Sequence, residues 1–227
     1  MTGSNDFLKY VPIFSELNDS TIEQISKIGV KKIFKKDSVV LFEHETGSAL
    51  FVIAEGKVKI SRVSEDGREV ILTILNESDF FGEMAILDGL SRSANVTAME
   101  KSEIYIIQRN DFIALLQSHP EISIALLKEL TRRLRAADLK IKSLSLKDAE
   151  GKVATVILQL ADDIGMIKSG TVEIEKLPLQ HDLANMAGTS RETISRTLHS
   201  LVKKGLIELK GSKLRIINYE KFKELFT

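Results

Sequence analysis

Hydrophobic and polar residues alternate over short distances in the first half of the chain. Between about Val30 and Ile107, apolar and β-branched residues form short runs separated by turn signals such as Glu55-Gly56 and Asp66-Gly67. An Asp-Gly pair between alternating hydrophobic runs is a strong hairpin signal. Short strands with a turn every roughly eight to twelve residues predict an antiparallel β-barrel or roll. We expect helices in the first 28 residues and after Asn110 to flank it.

A different pattern begins at Pro120, a residue suited to the first turn of a helix. From there to about Asp148 the apolar positions step by three and four, which predicts a long helix with a heptad seam. The seam consists of Leu127, Leu130, Leu134, Ala137, Ile141 and Leu144. Charged residues flank this narrow stripe, so it suits a partner helix, and we expect a parallel homodimer through it. The alternative is a helix that lies on its own domain.

The last part of the chain predicts two helices joined by a tight turn. A short helix from Gln180 to Ala187 meets Gly188, and a second helix begins near Thr189 or Ser190. This is the spacing of a helix-turn-helix. After Gly205, two predicted strands around a Lys-Gly-Ser-Lys turn form a wing.

Together these patterns predict an α+β protein in three parts. Residues 1–120 form an antiparallel β-roll domain, 121–148 a dimerisation helix, and 149–227 a winged helix-turn-helix domain. The segment KDAEGK around Gly151 predicts a hinge, followed by a helix from Val153 to Asp163.

The second helix of the predicted helix-turn-helix separates its apolar and polar residues. Ile194, Leu198 and Leu201 share one face, whereas Glu192, Ser195, Arg196, His199 and Lys203 share another. Arginine can donate two hydrogen bonds to guanine and glutamate can accept one from cytosine, so Arg191, Glu192 and Arg196 can read G·C pairs. Two alternatives remain open: Thr189 and Glu192 can form a capping box, and Arg196 can be a solvated surface charge.

The amino-acid composition and the charge distribution exclude some kinds of site and favour one kind of partner. The 227 residues include no cysteine, which removes disulfides and thiolate ligands for zinc, haem or iron–sulfur clusters. The net charge is −5 over residues 1–120, +1 over 121–180 and +4 over 181–227, which favours a polyanion partner for the C-terminal end. The four histidines are scattered and no hydrolase or P-loop motif occurs, so we expect no enzyme. Neither a signal peptide nor a membrane span is expected, so the predicted location is cytoplasmic.

The stretch FGEMAILDGLSRSAN, residues 81–95, carries candidate binding chemistry. Gly82 lets the backbone approach a ligand closely, and the following EMAIL can form a short helix whose N-terminal N–H groups attract an anion. Arg92 offers a fork for phosphate oxygens, Ser93 a hydroxyl, and Glu83 an acceptor for a sugar hydroxyl. These groups suit a cyclic nucleotide. The alternative is a structural Glu83–Arg92 ion pair in a roll without ligand.

The segment GTSRETISRTL resembles the recognition helix of the CRP/FNR family of bacterial transcription regulators, most closely its cyclic AMP receptor branch. The resemblance spans nearly the whole chain. It implies a homodimer that binds a palindromic, TGTGA-like operator on double-stranded DNA and works with RNA polymerase. The implied DNA-binding residues are Ser190, Arg191, Glu192, Thr193, Ser195, Arg196 and His199. Leu179 departs from the pattern, because relatives often carry a phosphate-contacting threonine there.

The stretch at residues 81–95 resembles the phosphate-binding cassette of cyclic-nucleotide-binding domains. This resemblance implies a cyclic nucleotide effector, cyclic AMP first and cyclic GMP second. With no cysteine in the chain we expect no metal, haem or iron–sulfur cluster, and a haem held by histidine is the alternative. The implied ligand residues are Gly82, Glu83, Met84, Ala85, Arg92, Ser93, Ile60, Leu72, Thr73, Leu75, Arg133, Ala137 and Asp138. In the cyclic AMP activator, two hydroxyl residues at the last two positions meet adenine. Here alanine cannot hydrogen-bond, and aspartate can accept from adenine, accept twice from guanine, or remain an exposed charge.

The expected mechanism is a population shift, in which bound ligand favours one packing of the long helix pair and so sets the spacing of the two recognition helices. Two other functions remain open. One is a regulator of the same fold that is constitutive or senses a different effector. The other is a cyclic-nucleotide-responsive module that acts on a protein partner.

Overall fold

The first part of the chain is an antiparallel β-roll with helices at both ends. The computed structural model describes residues 6–168 and 170–226. Its first elements are a 3-10 helix (Asp6–Tyr10), α1 (Asp19–Ile28), β1 (Gly29–Phe34), β2 (Val39–Leu41), β3 (Ala49–Glu55), β4 (Val58–Val63), β5 (Glu69–Leu75), β6 (Phe80–Phe81), α2 (Glu83–Asp88), β7 (Asn95–Ala98), β8 (Ser102–Gln108) and α3 (Arg109–Ser118). The predicted strands, both turns and the helix after Asn110 are confirmed. The helical prediction for the first 28 residues is confirmed at 6–10 and 19–28, and residues 1–5 lie outside the described part of the chain.

Two antiparallel sheets form the roll, with strand orders β1-β8-β3-β6 and β2-β7-β4-β5. Side chains from both sheets, among them Ile53, Val58 and Val96, form a buried core between them. The rings of Phe51 and Phe81 stack in this core with their centroids 5.1 Å apart. A second apolar cluster packs the flanking helices onto the outside of the first sheet. Since the stacked Phe81 ends β6, this core anchors the chain directly before Gly82.

The long helix α4 runs from Pro120 to Leu146, close to its predicted bounds. Ile122 and Leu126 are buried in the cluster on the outside of the roll, and Leu130 packs against it. Four members of the predicted seam instead expose their apolar side chains, namely Leu127, Leu134, Ile141 and Leu144. The first turns of α4 therefore lie on their own domain, whereas most of the seam is exposed.

The chain divides into two compact units between Leu134 and Arg135, within α4. The second unit continues with α5 (Ala149–Ile164), β9 (Met166–Lys168), β10 (Thr171–Ile174), α6 (Gln180–Ala187), α7 (Arg191–Lys203), β11 (Ile207–Lys210), β12 (Lys213–Ile216) and α8 (Tyr219–Phe226). Its antiparallel sheet has the order β11-β12-β10-β9. The predicted helix-turn-helix and wing are confirmed. No helix in the described ranges is long and apolar enough to cross a membrane.

The segment around Gly151 differs from its prediction. Helix α5 begins at Ala149, so the predicted start at Val153 is wrong. Asp148 is the N-cap, and its Oδ1 accepts a hydrogen bond of 2.8 Å from the Gly151 N–H. Gly151 is buried in the first helical turn, and the break between α4 and α5 falls at Lys147 and Asp148, the first two residues of the segment KDAEGK. The predicted segment therefore contains the break, but the break lies before the glycine, because Asp148 caps a helix that already includes it.

Candidate functional site

Gly82 forms the turn between β6 and α2. Its φ of 84° lies in the left-handed region, which favours glycine. A Cβ atom here would lie 2.7 Å from Arg92 Nη1 and 3.1 Å from the Ala49 carbonyl oxygen. Both the backbone conformation and the space therefore require glycine. The predicted short helix after it, α2, is confirmed, whereas the close approach of Gly82 to a ligand stays a prediction.

Arg92 is buried beneath this turn, with only 5% of its surface exposed. Its Nη1 donates to the Gly82 carbonyl at 2.7 Å, and its Nη2 donates to the Ala49 carbonyl at 2.9 Å. The guanidinium also lies 5.4 Å from the centroid of the Phe51 ring. Among the described residues its buried Nε has no hydrogen-bond partner. Burial lowers the pKa of Arg92 from its ordinary value.

A loop between β2 and β3 closes over Arg92. The backbone of Arg92 pairs with this loop, since its N–H donates to Glu45 at 2.8 Å and its carbonyl accepts from His44 at 2.9 Å. Gly47 is buried against the site, and a Cβ atom there would lie 2.3 Å from the Ala85 Cβ and 3.1 Å from the Arg92 Cζ. Sequence reasoning missed this loop, because it carries no motif; the lone glycine in FEHETGSA is the only hint.

Glu83 pairs with Arg133 of α4 rather than with Arg92. Arg133 Nη1 lies 3.3 Å from Glu83 Oε1, its Nε donates to Glu129 Oε1 at 2.9 Å, and its Nη2 donates to the Phe80 carbonyl at 2.8 Å. Its guanidinium also lies 4.4 Å from the centroid of the Phe80 ring. The alternative of a Glu83–Arg92 ion pair is therefore wrong. Sequence reasoning included Arg133 but missed Glu129, which lies one helical turn earlier.

Burial and these arginines shift the carboxylate pKa values in different directions. Burial raises the pKa of Glu83, and the attraction of Arg133 only partly offsets this effect. Burial opposes ionisation of Glu129 too, but hydrogen bonds from Arg132 and Arg133 outweigh it, so the pKa of Glu129 is lowered. Burial also raises the pKa of Asp79, in the loop between β5 and β6. Glu129 therefore holds the negative charge more firmly than Glu83 does.

The remaining predicted ligand residues differ in burial and in the elements that carry them. Ala85 is buried beneath Gly47, while Met84 is half exposed and its sulfur lies 3.7 Å from the Ser93 hydroxyl. Ile60 and Thr73 are cross-strand partners, and Leu72 sits at the bulge beside them. Leu75 is buried in the roll core. Ala137 and Asp138 are exposed on the part of α4 that belongs to the second unit.

The helix-turn-helix consists of α6 and α7, joined at Gly188, which has a φ of 59°. Ser190 is the N-cap of α7, and its Oγ accepts from the Thr193 N–H at 3.1 Å. The alternative of a capping box formed by Thr189 and Glu192 is therefore wrong, because the N-cap is Ser190, one residue after Thr189. Glu192 does not cap the helix. Its side chain is 85% exposed, and its Oε1 lies 3.6 Å from Arg196 Nη1.

The two faces of α7 are as predicted. Ile194, Leu198 and Leu201 are buried in the second unit. Arg191, Glu192, Arg196 and His199 are exposed, and Thr193 and Ser195 are half-buried beside them. Leu179, at the N-cap position of α6, is exposed and makes no capping hydrogen bond with its side chain. The helix therefore presents a row of polar side chains of the kind that reaches base edges.

Both basic side chains of β12 have acidic neighbours. Arg215 faces Glu173 of β10 and Glu208 of β11 across the sheet, at 3.8 Å and 3.4 Å. Lys213 Nζ lies 2.6 Å from Glu175 Oε1. The positive charge of this strand is thus compensated within the sheet. No group of three or more metal-binding side chains occurs in the ranges that the structure describes.

Both parts of the chain match known protein families. Residues 31–119 match the cyclic nucleotide-binding domain model, and residues 151–225 match the Crp-like helix-turn-helix model. The chain is 33% identical over 202 residues to a cyclic AMP receptor protein of Thermus thermophilus, covering 89% of this chain and 90% of that one. It is also 33% identical over 217 residues to a CRP-like cAMP-activated global transcriptional regulator of Mycobacterium tuberculosis, covering 96% and 97%.

A solved structure with a similar fold is that of FixK2 from Bradyrhizobium japonicum, with a TM-score of 0.77 and 21% identity over 88% of this chain and 98% of that one. The two domain matches and the full-length relatives agree with the roll and the helix-turn-helix described above. The chain therefore belongs to the CRP/FNR family of transcription regulators, with a cyclic-nucleotide-binding domain followed by a Crp-like helix-turn-helix.

Proposed function

We propose that this regulator is a homodimer whose operator binding is controlled by a cyclic nucleotide held in the roll, with cyclic AMP the first candidate and cyclic GMP the second. The observation that carries the proposal is the buried guanidinium of Arg92. It donates to two neutral carbonyl groups and keeps a buried N–H without a partner in the described ranges. A buried charge is costly unless it is paired, so an anion at this position stabilises the site.

The surroundings of Arg92 favour a phosphate attached to a sugar. The turn at Gly82 lies directly against the guanidinium, and Glu83, which follows it in sequence, places a carboxylate in the same turn. A carboxylate accepts hydrogen bonds from sugar hydroxyls, and arginine donates to phosphate oxygens. A cyclic nucleotide carries both groups. Two of the full-length relatives are named for cyclic AMP, which places it first.

The base of the nucleotide is a separate question. Our expectation that Ala137 and Asp138 lie near it stays a prediction. An aspartate accepts two hydrogen bonds from guanine and one from adenine, which keeps cyclic GMP as the second candidate. The ratio of the two affinities in Asp138→Ala decides whether this carboxylate contacts the base.

The DNA-binding residues are proposed to be those exposed along α7, with Arg191, Glu192 and Arg196 in contact with bases. Arginine pairs with guanine and glutamate with cytosine, which suits a TGTGA-like half-site. A two-fold symmetric dimer binds a palindromic operator. RNA polymerase is the proposed protein partner on grounds of family alone.

Calorimetry of the purified full-length protein tests the effector. We expect cyclic AMP to bind, and we expect Arg92→Ala to lower its affinity at least about 100-fold, since a charged, buried hydrogen-bonding group is lost. Arg68→Ala is the matched control, because Arg68 is an exposed arginine of the same roll. Unchanged affinity in Arg92→Ala contradicts the proposal. Binding of only a cyclic dinucleotide, or of none of these compounds, points to a different effector.

A further inference from the structure

The first turn of α5 is joined to the end of the recognition helix by one carboxylate. Glu150 Oε1 lies 2.5 Å from Lys204 Nζ, and Glu150 Oε2 accepts from the Ser200 hydroxyl at 3.3 Å. The Glu150 side chain is only 27% exposed. Each carboxylate oxygen therefore has its own partner in the last turn of α7 and at its C-cap, and the contact is partly shielded from water.

This contact differs in kind from the other ion pair of α7. Glu192 and Arg196 are one turn apart on the same helix and are both largely exposed, so their pair does not fix α7 to anything else. Glu150 and Lys204 come from two different helices. The apolar face of α7 already buries Ile194 and Leu198, but apolar contacts have no direction. Hydrogen bonds do, so the contacts of Glu150 add a directional constraint on α7 to its apolar packing.

The position of Glu150 gives the contact a further consequence. Lys147, the residue after α4, donates to the Thr155 hydroxyl at 2.9 Å and also contacts the Phe226 carbonyl at the end of α8. Asp148 caps α5 in the same corner. The corner between α4 and α5 is thus tied to α5, to α8 and, through Glu150, to α7. A chain of hydrogen bonds therefore connects this corner with the recognition helix.

We propose that Glu150 is a positioning residue for DNA recognition, which sets the orientation of α7 by holding Ser200 and Lys204. The inference rests on the proposed role of α7 in contacting bases. An α7 that is free to tilt still meets the phosphate backbone through its cations, but it no longer places its side chains on particular base edges. Loss of Glu150 therefore reduces discrimination between operator and random DNA more than it reduces affinity for DNA in general.

The experiment uses an operator selected by the full-length wild-type protein from a random duplex library, with cyclic AMP present. We expect Glu150→Ala to lower operator affinity about tenfold while affinity for random DNA stays within about twofold, a loss typical of one coupled charge pair. Glu224→Ala on α8 is the control and leaves both affinities unchanged. Glu150→Gln keeps an acceptor for the Ser200 hydroxyl, so we expect it to lose less operator affinity than Glu150→Ala. It replaces the alanine variant in the experiment if that variant fails to fold.

Two further measurements separate positioning from general stability. The double variant Glu150→Ala with Lys204→Ala is expected to lose no more discrimination than Glu150→Ala alone, and the exchange Glu150→Lys with Lys204→Glu to restore part of it. Equal losses on operator and random DNA, or a lower melting temperature with an unchanged ratio of the two affinities, overturn the inference. A wild-type protein that selects no operator counts against the proposed function instead, because that result does not depend on Glu150.

Discussion

Arg133 Nη1 lies 3.3 Å from Glu83 Oε1, and this contact joins the short helix beside the proposed phosphate site to the long helix α4. The same guanidinium holds Glu129 and the Phe80 carbonyl. A ligand hydroxyl that donates to Glu83 Oε1 would compete with Arg133 for that oxygen. Because Glu129 holds its charge more firmly, Arg133 would keep a partner in that event. The proposed ligand is therefore expected to alter a contact of α4 without leaving a buried arginine unpaired.

The first prediction concerns the pH dependence of stability at Glu83. Burial raises the pKa of this carboxyl, so the folded state disfavours its charged form. The stability gained from the neutral form is fully present below the unfolded-state pKa of about 4.5, and it is lost as pH rises through the folded-state pKa. Glutamine is neutral throughout. We therefore expect Glu83→Gln to gain melting temperature relative to wild type between pH 4 and pH 7.

The control for this measurement is Glu23→Gln. Glu23 is exposed, and its hydrogen bond with Lys27 lowers its pKa, so the sign of its effect is opposite. A difference between wild type and Glu83→Gln that is the same at both pH values contradicts the assignment of a raised pKa to Glu83.

The second prediction concerns Gly47, which closes over the proposed site. A methyl group here would lie 2.3 Å from the Ala85 Cβ, so the loop must move away from Arg92. We expect Gly47→Ala to cost about 1–3 kcal/mol of stability, as overpacking does, and to weaken cyclic AMP binding about tenfold or more. Calorimetry and thermal unfolding measure the two effects.

Gly67→Ala is the matched control for Gly47→Ala. Gly67 has a φ of 81° in a hairpin turn, and nothing lies within 4 Å of an added Cβ. Its replacement costs about 1 kcal/mol through backbone strain and leaves nucleotide affinity unchanged. Equal effects of the two variants on cyclic AMP binding would show that Gly47 does not shape the site.

The third prediction tests base contact by Arg196. Its side chain is 69% exposed on the polar face of α7. We expect Arg196→Ala to weaken operator binding by about 1–3 kcal/mol and to relax the preference at one base position. Binding to an operator library by gel shift measures both. Lys221→Ala on α8 is the control, and an equal loss on random DNA would make Arg196 a phosphate contact.

The fourth prediction uses Leu179, where this chain lacks a capping side chain. A threonine at this position can accept from the first N–H groups of α6, which stabilises a helix by about 1 kcal/mol. We expect Leu179→Thr to raise the melting temperature. We also expect it to strengthen binding to operator and random DNA alike, since a phosphate contact carries no sequence information. A gain on the operator alone contradicts a phosphate contact.

The fifth prediction tests the homodimer. Leu134 is 63% exposed on α4 and belongs to the predicted seam. Burial of one leucine side chain contributes about 1.5–3 kcal/mol, and a dimer would bury two copies of Leu134. We therefore expect Leu134→Ala to weaken association about 100-fold or more. Sedimentation measures the dissociation constant. The control is Arg135→Ala, at the next residue but outside the seam, which is expected to leave the dissociation constant nearly unchanged. A wild-type protein that is monomeric contradicts the proposal.

The sequence predicted most elements because their signals are local. Alternation in the strands, the proline at the start of α4 and the glycine at residue 188 each act within a few residues. The residues it missed act through distant partners. Glu129 matters because its partner Arg133 also contacts Glu83 and the Phe80 carbonyl, and Gly47 because Ala85 packs against it from another part of the chain. The misplaced start of α5 has a local origin instead, since the Asp148 cap begins the helix before the glycine.

The compensation of Arg215 and Lys213 within the sheet of the winged domain limits how the protein responds to ionic strength. Each phosphate that a protein cation neutralises releases a counterion. The slope of log affinity against log salt concentration then becomes more negative by about 0.9 for each such contact. Cations already matched by carboxylates contribute little to that slope. Arg215 and Lys213 are therefore expected to contribute little to the salt dependence of operator affinity, which leaves that dependence to the other cations of the domain.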